Sequence, residues 1–256
     1  MEGLANSPVT APVLDAILGY RRVYDRLADA AAAVVPHADG GHVHPVNVKV
    51  QMSRSVTPRP SDYAALFHLR GLAFEGAKIF DFGGSVGHLF YLYDRYLHFP
   101  RDCVWQVFDL PPIVEQGRMI AASRGEDRLQ FMLGWEAASG AYLFIASGAL
   151  HYFDTPLFDI IAKLSKKPEY LLVNRTPLID GPQKATVQDS TGTRVACVLY
   201  NRAELVAGLE AIGYKVVDSW KAWESSLKLV GRPQYSAVPY SGYFFRLNGA
   251  APKQES

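Results

Sequence analysis

From residue 78 onward, short apolar runs of strand length alternate with longer stretches in which apolar residues recur at helical spacing. Five such runs read as buried strands, at residues 79–80, 104–108, 129–133, 142–146 and 170–173. Helical patterns follow the runs at 86–97 and 111–124, and residues 147–154 lead into a further helix that ends near Leu164. Strands that alternate with helices in this way predict an α/β fold built on a mostly parallel sheet.

The last part of the chain carries one more helix and two more strands. Asn201 is a typical N-cap for the helix that follows it, and Gly213 is a typical terminator. Two further apolar runs, Lys215–Trp220 and Gly242–Leu247, predict the final strands. The stretch before this helix, residues 179–200, is too polar for a crossover helix and too long for a turn, so we interpret it as an insertion that covers a pocket.

The N-terminal third has a different pattern. An amphipathic helix is predicted from Val13 to about Val35, where Pro36 ends it, and Ser61 is the predicted N-cap of a second helix that leads to the first strand. The intervening loop contains three histidines, His37, His42 and His44. Because no carboxylate or cysteine accompanies them at ligand spacing, we predict no metal site.

The most distinctive stretch is KIFDFGGSVGH, residues 78–88, in which an apolar strand breaks into a glycine-rich turn and then into a helix. Gly83, Gly84 and Gly87 remove Cβ atoms, so that backbone can approach a ligand. The pattern is neither G-x-G-x-x-G nor the phosphate-binding G-x-x-x-x-G-K-[ST]. Asp81 would repel a pyrophosphate, but it can hold amides of the turn or a cationic ligand such as a sulfonium amino acid. A glycine turn that binds nothing is the alternative.

Asp109 follows the next apolar run at the spacing of one β-α-β unit. A carboxylate at this position is suited to the hydroxyl groups of a ribose. The two acids together therefore predict a site for a nucleoside-containing cofactor.

Composition narrows the class of partner. The 256 residues are 49% hydrophobic, and 26 Lys and Arg balance 25 Asp and Glu, which disfavours nucleic acid and membrane surfaces and favours a small-molecule substrate. The two cysteines, Cys103 and Cys197, are too far apart for a C-x-x-C site. Without a signal-like segment or an 18-residue apolar run, we expect a cytoplasmic protein.

Several motifs together resemble those of class I S-adenosylmethionine-dependent methyltransferases. DFGGSVG, residues 81–87, resembles their E/D-x-G-x-G-x-G motif with the middle glycine shifted by one position. FDLPPIVEQGR, from Phe108, resembles the second-strand region of small-molecule O-methyltransferases, and SGALHY, from Ser147, resembles their S-x-x-L-H corner. With NRTP, TVQ and GYKVVDSW, these motifs resemble a largely uncharacterised bacterial methyltransferase family over residues 61–247.

This resemblance implies a Rossmann-like class I methyltransferase fold, with a mostly parallel seven-stranded sheet whose last strand is antiparallel, and S-adenosyl-L-methionine as cofactor. It implies an N-terminal helical cap, residues 1–74, and a catalytic domain, residues 75–250, with insertions at 177–200 and 221–241. The implied cofactor-binding residues are Asp81, Gly83, Gly84, Ser85, Gly87, Asp109, Leu110, Trp135 and Ser147. Trp135 is expected to contact the adenine ring, although packing in the core is an equal alternative.

The expected reaction is O-methylation of a small polar metabolite or glycan precursor. His151 is the candidate base, with a packed helix-terminal histidine as the alternative, and Arg175 is the candidate ligand for the acceptor or for the cofactor carboxylate. Other side chains expected around the acceptor are Asn174, Thr176, Thr186, Gln188, Trp223, Tyr235 and Tyr240. An NAD(P)-dependent oxidoreductase and a non-catalytic S-adenosylmethionine-binding protein are the two rival functions.

Overall fold

The computed structural model describes most of the chain from residue 22 onward. The described residues are 7, 9–10, 13, 22–34, 50, 52–53, 55–72, 76–190 and 193–249. The histidines at 37, 42 and 44 lie outside them. Within the described residues, no helix is both long enough and apolar enough to span a membrane.

Eleven strands and six α-helices are described, together with short 3₁₀ turns. The strands are β1 Val23–Tyr24, β2 Lys78–Phe82, β3 Val104–Phe108, β4 Leu129–Met132, β5 Leu143–Ser147, β6 Tyr170–Thr176, β7 Leu178–Ile179, β8 Lys184–Ser190, β9 Thr193–Asn201, β10 Tyr214–Ala222 and β11 Tyr240–Leu247. The helices are α1 Leu27–Val34, α2 Pro60–Arg70, α3 His88–Leu97, α4 Pro111–Ser123, α5 Leu157–Ala162 and α6 Arg202–Ala211.

The central sheet has seven strands in the order β4-β3-β2-β5-β6-β11-β10. The five strands from β4 to β6 are parallel, while β11 runs antiparallel to both of its neighbours. This arrangement confirms the predicted seven-stranded sheet with an antiparallel last strand. It also brings the carboxyl ends of β2, β5 and β6 together at one edge, where open α/β sheets bind their ligands.

Apolar side chains cover both faces of this sheet. On one face Trp105 packs edge to face or tilted against Phe90, Tyr93 and Phe99. A second cluster, which includes Phe80 and residues of α5 and α6, forms a separate core. Burial on both faces explains why the parallel strands read as continuous apolar runs in the sequence.

A smaller sheet, in the order β1-β8-β9-β7, is formed largely by the predicted insertion. Strands β8 and β9 make an antiparallel hairpin, and Val23 of β1 pairs with Thr186 of β8. The predicted helix from Val13 to Val35 is therefore wrong over residues 22–26. The Thr186 hydroxyl donates to the Arg22 carbonyl at 2.8 Å, so pairing with the hairpin overrides local helix propensity there.

The start of α2 also differs from the prediction. The helix begins at Pro60, Arg59 is its N-cap, and the Asp62 carboxylate accepts a hydrogen bond from the Arg59 amide at 2.8 Å. Ser61 therefore lies in the first turn, where its hydroxyl is bonded to Glu224. The predicted Asn201 cap of α6 is confirmed, since its side chain accepts from the Glu204 amide at 2.8 Å.

Candidate functional site

The glycine-rich turn lies at the carboxyl end of β2, and two of its glycines have left-handed backbone conformations. Gly83 has φ +67°, and a Cβ there would lie 2.3 Å from the Cβ of Ala149. Gly87 has φ +79°, and a Cβ there would meet the Leu129 side chain at 2.7 Å. Both positions require glycine on conformational and steric grounds, so the turn is closely packed.

Asp109, at the end of β3, holds this turn in place. Its Oδ2 accepts from the Ser85 amide at 2.8 Å, and its Oδ1 accepts from the Leu110 amide at 2.7 Å. Burial raises the pKa of Asp109, and these two amide hydrogen bonds oppose the rise. Each carboxylate oxygen retains a lone pair for a further donor.

The sequence suggested that Asp81 can hold amides of the turn, but the structure shows that it does not. The carboxylate is 1% exposed, and its Oδ2 accepts from the Trp105 indole at 3.1 Å. Its Oδ1 has no hydrogen-bond partner among the described residues. Burial raises the pKa of Asp81 to about 7, partly offset by the Trp105 hydrogen bond. Gly84 lies directly against this carboxylate, since a Cβ there would be 2.4 Å from Asp81 Cγ.

A cavity of about 550 Å³ opens beside the turn, which is the size of a small-molecule site. Six residues singled out in the sequence line it: Gly83, Ser147, His151, Arg175, Gln188 and Tyr240, the last at the start of β11. The cavity thus draws on the ends of parallel strands, on the hairpin and on the final strand.

Arg175 is 2% exposed and has φ +52°, a left-handed conformation that is uncommon outside glycine. One terminal nitrogen donates to the Asp62 carboxylate and to the Ser61 hydroxyl, and the other donates to the Ser147 hydroxyl at 2.7 Å. Its Nε, which has no hydrogen-bond partner among the described residues, lies near Gly148 of the cavity wall. These bonds use three of the five N–H groups of Arg175, which leaves the Nε–H and one terminal N–H.

Asp62 is the counterion of this arginine. It is 1% exposed, and it also accepts from the Tyr93 hydroxyl at 3.1 Å. Burial favours a raised pKa at Asp62, but the Arg175 charge and the hydrogen bonds from Arg175 and Arg59 outweigh it, so the pKa is lowered. The pair connects α2 to the end of β6.

Asn174 and Thr176 were expected to project towards an acceptor, but they are fully buried and do not line the cavity. The Asn174 amide donates to the Ser61 hydroxyl at 3.2 Å, and its oxygen accepts from the Trp220 indole at 2.9 Å. Asn174 therefore connects α2 to strands β6 and β10 of the central sheet.

Four polar side chains form one wall of the cavity, which we call the acceptor wall: His151, Tyr152, Gln188 and Tyr240. The Tyr240 hydroxyl donates to Gln188 Oε1 at 3.0 Å, and Gln188 Nε2 donates to the Tyr152 hydroxyl. Gln188 Nε2 also lies 3.5 Å from His151 Nε2. Burial raises the pKa of Tyr240, which keeps its phenol protonated.

The other predicted ligand contacts lie outside the cavity. Trp135 begins a 3₁₀ turn after β4 and is partly buried against the second core cluster, and Leu110 is 46% exposed at the start of α4. Trp223 is 74% exposed, Tyr235 packs against the third core cluster, and Thr186 is buried in the hairpin.

Sequence reasoning missed several residues that line the cavity. His88 is the first residue of α3, Arg59 precedes α2, and Glu224 and Lys228 belong to the segment between β10 and β11. His88 had a usable signal, because it follows the last glycine of the turn directly. The other three lie in loops whose positions depend on tertiary packing.

Comparison with solved structures identifies the fold. The chain is 18% identical to 1,6-didemethyltoxoflavin-N1-methyltransferase of Burkholderia thailandensis, solved with 1,6-didemethyltoxoflavin and S-adenosylhomocysteine, with a TM-score of 0.50 over 86% of each chain. It is 12% identical to an S-adenosylmethionine-dependent methyltransferase of Aquifex aeolicus, with a TM-score of 0.50 over 80% of this chain and 98% of that one. No protein-family model and no curated protein matches the sequence. The chain has the Rossmann-like class I methyltransferase fold.

Proposed function

We propose that the protein is an S-adenosylmethionine-dependent methyltransferase that transfers a methyl group to a hydroxyl of a small polar molecule. The observation that carries this proposal is the pair of acids at the ends of β2 and β3. Asp81 keeps an unpartnered, buried carboxylate oxygen beneath a turn that only glycine can form, and Asp109 flanks the same turn. A cationic cofactor with a ribose suits both acids, whereas a pyrophosphate does not.

The residues present fit this cofactor. Gly83, Gly84, Ser85 and Gly87 allow close backbone approach, and Asp109 has lone pairs for two ribose hydroxyls. The free oxygen of Asp81 favours the positive charges of the methionine portion. Further contacts in this proposal come from Ser147, beside Arg175, and from Leu110 and Trp135 near the adenine. The cofactor supplies an electrophilic methyl group.

The acceptor side has the chemistry of a hydroxyl site. The acceptor wall offers phenol, amide and imidazole groups, with hydroxyls of Ser225 and Ser226 nearby. Holding the acceptor oxygen in line with the methyl group supplies much of the acceleration, and His151 takes the proton that this oxygen loses. Arg175 acts towards the acceptor as a hydrogen-bond donor, and Asp62 already balances its charge.

The N-terminal segment, residues 1–74, acts in this proposal as a cap over the site. Its described helix α2 reaches the cavity through Arg59, and Ser61 bonds to Glu224, which also lines the cavity. Residues 61–247 resemble the bacterial methyltransferase family. The Burkholderia neighbour, solved with a small molecule bound, supports an acceptor of that size.

The test is turnover. A panel of hydroxylated acceptors is screened by release of S-adenosylhomocysteine, and the best acceptor is then assayed with His151→Asn and Arg175→Lys. We expect turnover to fall at least ~100-fold in His151→Asn, the scale of a lost general base, while its affinity for S-adenosylhomocysteine is unchanged. Full turnover by both variants would remove these roles, and no methyl transfer to any hydroxyl would contradict the proposed reaction.

A further inference from the structure

The acceptor wall draws its four side chains from separate parts of the fold. His151 and Tyr152 belong to the 3₁₀ turn after β5, Gln188 to the hairpin strand β8, and Tyr240 to the start of β11. His151, Gln188 and Tyr240 are each less than 9% exposed. The Gln188 amide contacts hydrogen-bonding atoms of the other three.

The orientation of this amide follows from the Tyr240 hydroxyl. A buried phenol proton needs an acceptor, and Gln188 Oε1 provides one at 3.0 Å. With its oxygen turned towards Tyr240, the amide presents its NH₂ group to the other two residues. One N–H donates to the Tyr152 hydroxyl, and the other faces His151 Nε2 at 3.5 Å. The opposite orientation would leave the Tyr240 proton facing an NH₂ group.

An N–H donor that faces His151 Nε2 favours an unprotonated nitrogen at that position. We propose that Gln188 is a positioning residue that holds His151 as the neutral tautomer with its proton on Nδ1. At 3.5 Å the contact is at the outer limit of a hydrogen bond, so it holds the Nε2 lone pair only weakly. An acceptor hydroxyl can then replace Gln188 at Nε2.

This arrangement explains how His151 would act in the proposed methyl transfer, and that part rests on the proposed function. As the acceptor oxygen forms its bond to the methyl carbon, the carbon–sulfur bond breaks towards sulfur and the hydroxyl proton moves to Nε2. The other titratable or charged groups that line the cavity are Arg59, His88, Tyr152, Arg175, Asp189, Glu224, Lys228 and Tyr240. Of these, Tyr152 and Tyr240 are hydrogen-bonded to Gln188.

The tautomer can be measured without an acceptor. Nitrogen NMR of protein labelled with ¹⁵N-histidine reports which ring nitrogen carries the proton, and the His151 signals among the seven histidines are identified by their loss in His151→Asn. We expect the native protein to show His151 protonated at Nδ1. In Gln188→Glu, a carboxylate replaces the N–H donor, and we expect the proton on Nε2. Tyr240→Phe releases the amide to turn, and we expect at least part of the population to gain a proton at Nε2.

Tyr235→Phe is the control, because this tyrosine lies in the preceding segment but outside the cavity. A native His151 protonated at Nε2 would overturn the proposal, and so would a proton that stays on Nδ1 in both Gln188→Glu and Tyr240→Phe. Calorimetry with S-adenosylhomocysteine on the same samples separates the two proposals. Failure to bind it contradicts the proposed function and leaves the assignment of the tautomer to Gln188 standing.

Discussion

At the scale of single residues, the candidate site combines backbone conformations and buried charges that a protein fold normally avoids. Gly83 and Gly87 have positive φ, and so do Ser85 and Arg175, which carry side chains. Left-handed conformations cost about 1–2 kcal/mol for residues with a Cβ. Their concentration at one edge of the sheet supports the proposal that ligands bind there.

Gly83→Ala should weaken the binding of S-adenosylhomocysteine at least ~10-fold, because the new Cβ overlaps that of Ala149 and the backbone has φ +67°. Calorimetry measures the change. The double variant Gly83→Ala with Ala149→Gly should recover part of the affinity, since the nearest remaining atom, the Cα of residue 149, is 3.7 Å away. Gly71→Ala is the control, because a Cβ at this position would have no atom within 4 Å. Native affinity in Gly83→Ala would place the cofactor elsewhere.

Asp81 should make the protein less stable as the pH rises. Its folded pKa of about 7 lies above the ordinary value of 3.8, so the folded state binds more protons than the unfolded state between these values, and stability falls from pH 4 to 7. Over this pH range the free energy of unfolding falls by an amount on the order of 4 kcal/mol. Asp81→Asn, whose amide oxygen can still accept from Trp105, should lack this dependence of stability on pH.

The measurement is urea unfolding of both proteins at pH 5 and pH 8. The free energy of unfolding of Asp81→Asn relative to the native protein should be larger at pH 8 than at pH 5. An identical difference at the two pH values would show that Asp81 is ionised throughout.

At the scale of elements, the Asp62–Arg175 pair fastens α2 to the end of β6. Asp62→Asn would leave the buried guanidinium without its counterion, and such losses cost about 3–5 kcal/mol. We expect the double variant Asp62→Asn with Arg175→Met to be destabilised less than Asp62→Asn alone, because the unpaired charge is gone. Denaturant midpoints of the native protein, the single variant and the double variant measure these changes in stability. A cost below about 1 kcal/mol for Asp62→Asn would show that the pair is solvated.

The sequence predicts the elements of the central sheet well, because burial on both faces leaves apolar runs that local patterns detect. It fails where pairing partners are distant. Val23 and Tyr24 precede an alanine-rich helix, and only the hairpin strand β8 makes them extended. In the site, the prediction that strand ends converge is confirmed for Ser147 and Arg175. It is wrong for Asn174, whose side chain is held by Ser61 and Trp220, residues more than 40 positions away.

At the scale of the whole molecule, the fold establishes the class and leaves the chemistry to the site. The sheet order and the structural neighbours define the class I methyltransferase fold, but identities of 12–18% transfer no activity. The near balance of 26 basic and 25 acidic residues agrees with an uncharged or modestly charged small molecule as partner. The cavity is assembled from residues between Arg59 and Tyr240, so it exists only in the folded chain.

The central claim is that the site binds a sulfonium nucleoside through Asp81 and Asp109. The most direct test is isothermal titration calorimetry of the native protein with S-adenosylmethionine, S-adenosylhomocysteine and NAD, repeated on Asp109→Ala with Asp127→Ala as an exposed control. We predict binding of both sulfur compounds, no heat from NAD, and affinities roughly 10- to 100-fold weaker in Asp109→Ala, the scale of lost charge-assisted hydrogen bonds. Tight NAD binding with no response to either sulfur compound would contradict the account.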